Sequence, residues 1–150
     1  MKPLIVLLSV FGISILVLKS GTENIDFALA ARLAMSGMML FSAIGHFIFT
    51  KGMTLMIPEF IPFKKQIIYL TGILEILFAI GLLLAGFQVL IAWSMILFLI
   101  LLLPANIYAA FRKVDLQKAN FHGNGLNYLW FRIPLQILFI VWIYLSSIKN

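Results

Sequence analysis

Residues 88–113, QVLIAWSMILFLILLLPANIYAAFRK, decide the fold. From Gln88 to Phe111 the chain is almost wholly apolar, long enough as a helix to cross a hydrocarbon layer ~30 Å thick, and Arg112 and Lys113 then end the run. Only α-helices and closed barrels satisfy their backbone polar groups in lipid, and this run lacks the in/out alternation of a barrel strand. The reading is therefore a transmembrane helix over residues 88–111, with a proline and an asparagine, Pro104 and Asn106, placed unexpectedly inside it.

The same pattern recurs along the chain. Apolar runs at about 3–18, 27–49, 66–86, 88–111 and 128–147 predict five membrane helices, and residues 1–150 read as one integral membrane domain. Composition agrees: 63% of residues are hydrophobic, 11% are charged and the mean hydropathy is +1.12, where a soluble domain carries about 45–50% apolar and about 25% charged residues. The first run, PLIVLLSVFGISILVL, follows Lys2 and competes with a signal peptide cleaved after Ala28, Leu29 and Ala30. The polar stretch KSGTENID separates that site from the apolar run, which favours an uncleaved helix.

The chain has no cysteine, which excludes a thiol/disulfide centre and a thiolate-bound iron–sulfur cluster. Its formal charge of +6 is spread over the ends of apolar runs rather than gathered in a patch, so nucleic acid is not an expected partner. The bilayer is. With five helices, Lys2, Lys51, Lys64, Lys65, Arg112, Lys113 and Lys118 fall on one side and Lys19, Arg32 and Lys149 on the other. The positive-inside rule then predicts a multi-pass protein of a bacterial-type inner membrane, with its N-terminus and the loops 50–65 and 112–127 cytoplasmic and its C-terminus outside.

Two loops carry more than length. KGMTLMIPEFIPFKK contains Pro58 and Pro62, which cannot continue a long helix, and apolar residues badly placed in water. It reads as an interfacial linker with lysine anchors, or as a lid that dips into the bilayer. DLQKANFHGNGLN has the Gly and Asn content of a polar turn, with His122 in solvent.

Ionisable groups in hydrocarbon cost about 2.5–3.5 kcal/mol on insertion scales, which makes them functional candidates. Counting ~1.5 Å per residue from the cytoplasmic helix ends places His46 roughly 5 Å deep, Arg132 about 6 Å, Asn106 about 8 Å, Gln136 about 12 Å and Glu75 about 14 Å. All five share one half of the bilayer, on four helices. A carboxylate as deep as Glu75 must be protonated, paired or beside a wet cavity. Arg132 either snorkels to the headgroups or reaches Glu75; Gln136, four residues on, shares its face. Asn106 leans back toward the bilayer centre, as one wall of a pocket or as interhelical glue worth about 0.6 kcal/mol. Pro104 lacks an N–H and so frees the carbonyl of Ile100. His46 follows Gly45, where another backbone or a ligand can come close, and serves as a proton carrier or as a hydrogen-bonding residue. Neither a bis-histidine haem nor a metal site is expected, since His122 is in a loop and no ligand pair has a recognised spacing.

The motifs RLAMSGMMLFSAIGHF, MIPEFIPF, YLTGILEILFAIGLL, LLLPANIYAA and RIPLQ, in this order, resemble the DoxX-like family of small bacterial membrane proteins over residues 30–147. The resemblance implies a four-helix membrane bundle, here with one added N-terminal helix. It also implies association with membrane oxidoreductase systems, such as a thiosulfate:quinone oxidoreductase subunit or a complex with superoxide dismutase and a sulfurtransferase. The family's polar positions fall on His46, Glu75, Asn106, Arg132 and Gln136, and its prolines on Pro58 and Pro104.

Three functions compete. The first is a redox-associated subunit, working with a membrane or cytoplasmic partner, that binds a quinone or similar lipophilic molecule in a cytoplasm-side polar pocket. The second is a non-enzymatic anchor or assembly protein that uses the same residues to lock helices together. The third, a small-solute transporter, is weakened because the sequence displays no second, outward polar layer.

Overall fold

The computed structural model describes residues 2–21 and 26–149. They form α1 (Lys2–Gly21), α2 (Phe27–Ile48), a short α3 (Thr50–Thr54), α4 (Lys64–Gly81), α5 (Gln88–Phe111) and α6 (Leu126–Ile143). A π-helical turn, Tyr144–Ile148, continues α6. The described residues contain no β-strand, only an isolated bridge between Asp115 and Asn120. The protein is all-α, and Lys2–Gly21, Phe27–Ile48, Gln88–Phe111 and Leu126–Ile148 are long and apolar enough to cross a membrane.

The remaining expected span, 66–86, is revised. Its helix is Lys64–Gly81, eighteen residues that include Lys64, Lys65 and Glu75, and it is not among those four. The apolar stretch beyond it leaves the helix by tight bonds from Leu83 N to Ile80 O and from Leu84 N to Gly81 O. Such three-residue spacings close a helix end. Gly86, at φ +88°, then completes the turn into α5. Gly81 permits that turn to fold tightly, because a Cβ there would lie 2.9 Å from the side chain of Ile91.

α2 is the centre of the assembly, packed on α1, on α4 and on the end of α6. Asp26 starts it by accepting a hydrogen bond from Leu29 N at 2.8 Å, the usual remedy for the unpaired first-turn donors. Its inner face carries Met35, Met38 and Met39, which pack with Ala79, Ala92, Met95, Leu135, Phe139 and Ile143. The outer faces are apolar as well: Leu16, Ile48, Leu90 and Leu101 are each about two-thirds exposed. An apolar exterior over this many helices suits a lipid-facing surface. In lipid, helices gain nothing from hiding oil and associate through small residues and polar contacts instead. Gly37 against Val10 is such a point between α2 and α1, at 3.3 Å from a Cβ placed there.

Residues 55–63 are a succession of turns, neither helix nor strand. Pro58 O accepts from Ile61 N at 3.2 Å, Phe63 takes φ +57°, and Phe60 and Phe63 stand 85% and 72% exposed. Glu59 ties the segment to the end of α5 through Arg112, at 2.7 Å.

Candidate functional site

The polar residues at the heart of the bundle come from helix faces set by spacings of three and four. Ser42 and His46 share one face of α2, and Ile68, Gly72, Glu75 and Ala79 are the buried side of α4. Gly72 brings the two helices together, since a Cβ added there would lie 2.9 Å from His46 Cβ. Glu75, one turn further along, is thereby carried up to the imidazole.

The contact is direct. His46 Nε2 lies 3.4 Å from Glu75 Oε1, and both residues are more than nine-tenths buried. Ser42 Oγ donates to the same Oε1 at 3.2 Å. The other ring nitrogen, Nδ1, lies 3.1 Å from Ile68 O and 3.0 Å from Thr71 Oγ1. With a proton on Nδ1 it donates to Ile68 O, which orients the ring; the Nε2–Oε1 contact is then a hydrogen bond when one further proton lies between them, on the imidazole or on the carboxyl group. Glu75 Oε2 is buried and has no hydrogen-bond partner. An unmet carboxylate oxygen away from water is costly, so a donor in the adjoining space stabilises it.

That space exists. A cavity of about 50 Å³ is bounded by Glu75 of α4, Asn106 of α5, Arg132 and Gln136 of α6, Ser42 of α2 and Pro3 of α1. Asn106 is 4% exposed, and its side-chain amide forms no hydrogen bond with the described residues. Gln136 donates from Nε2 to Leu99 O in a very short contact. Arg132, half-buried, donates from Nη1 to Tyr128 Oη at 3.1 Å. The residues around this small cavity thus include one buried carboxylate oxygen without a partner, one side-chain amide without a hydrogen bond and one cation. A void of this size holds water or the oxygen-bearing edge of a larger molecule, since one water needs about 10–15 Å³.

Four of the five polar residues singled out in the sequence line one cavity, and the fifth, His46, stands behind Glu75. The structure narrows what the sequence leaves open. Glu75 pairs with His46 and Ser42, not with Arg132, whose guanidinium turns to Tyr128 on its own helix. Close approach occurs at Gly72, whereas Gly45 has only Met53 Cε nearby, at 3.8 Å. The segment with Pro58 and Pro62 contributes no residue to the cavity lining. Pro104 sits within an unbroken α5, and the carbonyl met from α6 is that of Leu99, next to the expected Ile100. His122 is exposed.

Sequence reasoning passed over Ser42 and Thr71; Ser42 was legible as the residue four before His46, on the same face. It also passed over an outer polar pair, Arg32 Nη1 to Gln88 Oε1 at 2.5 Å, where Arg32 Nε is buried without a partner. In the sequence Arg32 reads as a cation near a helix end and Gln88 as the start of a span, and nothing local joins them.

The fold and the polar cavity define a small all-α protein with four helices long and apolar enough to cross a membrane, arranged about a polar core. Residues 35–147 match the family described as "Domain of unknown function (DUF8561)", and the chain belongs to that family. All five polar positions and the three loop and helix prolines lie within the matched segment. No curated protein matches the chain, and no solved structure does.

Proposed function

We propose that this is a multi-pass inner-membrane protein of DoxX-like type, a redox-associated subunit that takes the polar head of a quinone or similar lipophilic molecule into the cavity between α2, α4, α5 and α6. The observation that carries the reading is the meeting, at one small cavity lined also by Arg132, of two residues with an unanswered polar group: Glu75, whose Oε2 has no protein partner, and Asn106, whose amide forms no hydrogen bond with the described residues. Asn106 and Arg132 hydrogen-bond quinone oxygens, and Glu75, held by His46 and Ser42, exchanges a proton with them. The cavity is smaller than the roughly 150 Å³ that holds a benzene ring in an engineered protein core. Only the oxygenated edge therefore enters without movement of Leu99, Leu102 and Phe139, which form the apolar wall. The lysine and arginine bias supports an orientation with this half of the bundle toward the cytoplasm, where a redox partner in the membrane or at its surface would meet it.

The reading is tested by native mass spectrometry of protein released from mild detergent, with added ubiquinone or menaquinone. Retention by the wild type and its loss in Glu75→Gln and Arg132→Met support it. A stable preparation that retains no quinone at any added concentration sinks it.

A second reading, an anchor or assembly protein, draws on the number of polar side chains already satisfied by neighbouring helices: Gln136 on Leu99 O, Ser36 on Ala79 O at 2.8 Å and Trp142 on Ala31 O at 3.0 Å. It expects co-purification with a partner subunit that Glu75→Gln weakens.

A further inference from the structure

At the end of the bundle where α2 meets α3, an open groove of about 580 Å³ runs between three separate segments of chain. Lys51 reaches it from α3, Lys65 from the first turn of α4 and Lys118 from the loop after α5. No aspartate or glutamate lines it. The ion pairs among the described residues are His46–Glu75 and Arg112–Glu59, so none of these lysines is neutralised. Arg112, close by in sequence, spends its charge on Glu59 and lies over the rings of Tyr108 and Phe121 at 5.9 and 5.2 Å. The groove therefore concentrates positive charge that the protein itself leaves unanswered.

The arrangement is built rather than incidental. Asp115 Oδ1 accepts from the N–H groups of Gln117 and Lys118 at 3.0 and 3.1 Å, and Asp115 N donates to Asn120 O at 2.8 Å, which fixes the turn bearing Lys118. Gly52 seats that turn on α3, because a Cβ there would fall 1.9 Å from Leu116 O. Away from the lysines the wall becomes apolar: Phe47 and Tyr69 stack at 5.8 Å between ring centres, 16° from parallel, and both are more than 40% exposed. Their helices continue as the apolar exterior of the bundle, with Ile48 67% exposed.

We propose that this groove binds the headgroup of an anionic phospholipid, its phosphate among Lys51, Lys65 and Lys118 and the first part of its acyl chain along Phe47, Tyr69 and Ile48. Basic pockets at helix ends recognise such headgroups by charge, while a zwitterionic lipid brings a cation of its own into the cluster. The proposal rests on the chain lying in a bilayer and is independent of what the inner cavity holds.

The test is native mass spectrometry of protein released from nanodiscs of equal phosphatidylcholine and phosphatidylglycerol. The expected result is preferential retention of phosphatidylglycerol by the wild type. Each of Lys51→Gln, Lys65→Gln and Lys118→Gln lowers that retention by about fivefold, the weight of one lysine near an anionic surface, and the triple variant abolishes the preference. Lys64→Gln, on the same helix turn but outside the groove, and Lys19→Gln leave it unchanged. Equal retention of the two lipids by the wild type overturns the proposal, as does an equal loss in Lys64→Gln. Displacement of the lipid by millimolar inorganic phosphate alone assigns the site to free phosphate and overturns it too. Quinone retention is read in the same spectra and stays intact in the groove variants, so this proposal and the cavity proposal fail separately.

Discussion

Glu75 Oε1 lies 3.4 Å from His46 Nε2, on helices that approach closely enough for the pair to be sealed from solvent, while the second carboxylate oxygen meets no protein donor. The carboxylate is thus half answered: one oxygen is met by His46 and Ser42, and the other has no partner, in a residue that lines the cavity. An arrangement of this kind couples the two residues, because removing either leaves the other buried with a lost partner.

The coupling is measurable. In a double-mutant cycle of Glu75→Gln and His46→Ala, monitored by unfolding in detergent, the interaction energy should lie at about 0.5–3 kcal/mol, as for residues in one contact network. The same cycle between Glu75→Gln and Arg132→Met should be additive within about 0.5 kcal/mol, since Arg132 bonds Tyr128 instead. Equal coupling in both cycles would show that Arg132 is as much a partner of the carboxylate as His46, and coupling in the second cycle alone would show that Arg132 is its partner instead.

Gly72 is the second point of leverage. Gly72→Ala places a methyl 2.9 Å from His46 Cβ, a distance at which one helix must shift. Overpacking of this sort costs about 1–3 kcal/mol, and it should also lower ligand retention in the cavity by separating α4 from α2. Gly12→Ala is the control, because nothing lies within 4 Å of a Cβ there; in a helix interior it should be neutral or stabilising by up to about 1 kcal/mol. Thermal unfolding of the two variants side by side distinguishes a packing effect from a helix-propensity effect.

These two glycines also show what was legible in advance. Both read alike in sequence, as small residues in apolar helices, and only the opposing side chain, known from the fold, separates them. Apolar length and charge were enough to place helices within a few residues of Lys2–Gly21, Phe27–Ile48 and Gln88–Phe111, because in lipid those two properties dominate. They misjudged the end of α4, where LLLAGF continues the hydrophobic run while its hydrogen bonds tighten and Gly86 turns the chain. Depth along each helix gathered Glu75, Asn106, Arg132 and Gln136 at one level. It could not choose the partner of Glu75, because that depends on the rotation of α4 about its axis, which Gly72 and His46 set together.

Gln136 offers a test in which global stability and local hydrogen exchange part company. Its amide nitrogen meets Leu99 O, a carbonyl adjoining the one that Pro104 deprives of its usual donor. Hydrogen bonds between membrane helices are worth about 0.6 kcal/mol on average, so Gln136→Leu should shift unfolding only by about that amount. Amide hydrogen exchange around residues 99–104 should nevertheless rise, as α5 loses its tie to α6. Unchanged exchange there would mean that the helix is held without this contact.

Asn106 gives the sharpest separation between a binding pocket and a structural lock. Its side chain is buried yet forms no hydrogen bond with the described residues. Replacing an unsatisfied buried polar group by an apolar one of similar shape is neutral or stabilising, by about 1–3 kcal/mol where the desolvation penalty is fully relieved. Asn106→Leu should therefore hold or raise the unfolding temperature while cutting quinone retention at least about tenfold, the loss of about 1.4 kcal/mol or one good hydrogen bond to the ligand. Interhelical glue requires the reverse: lower stability and no effect on any bound molecule. A site that keeps a polar group at a cost in stability is the pattern expected where function needs that group. Unfolding and native mass spectrometry on the same sample decide between the two.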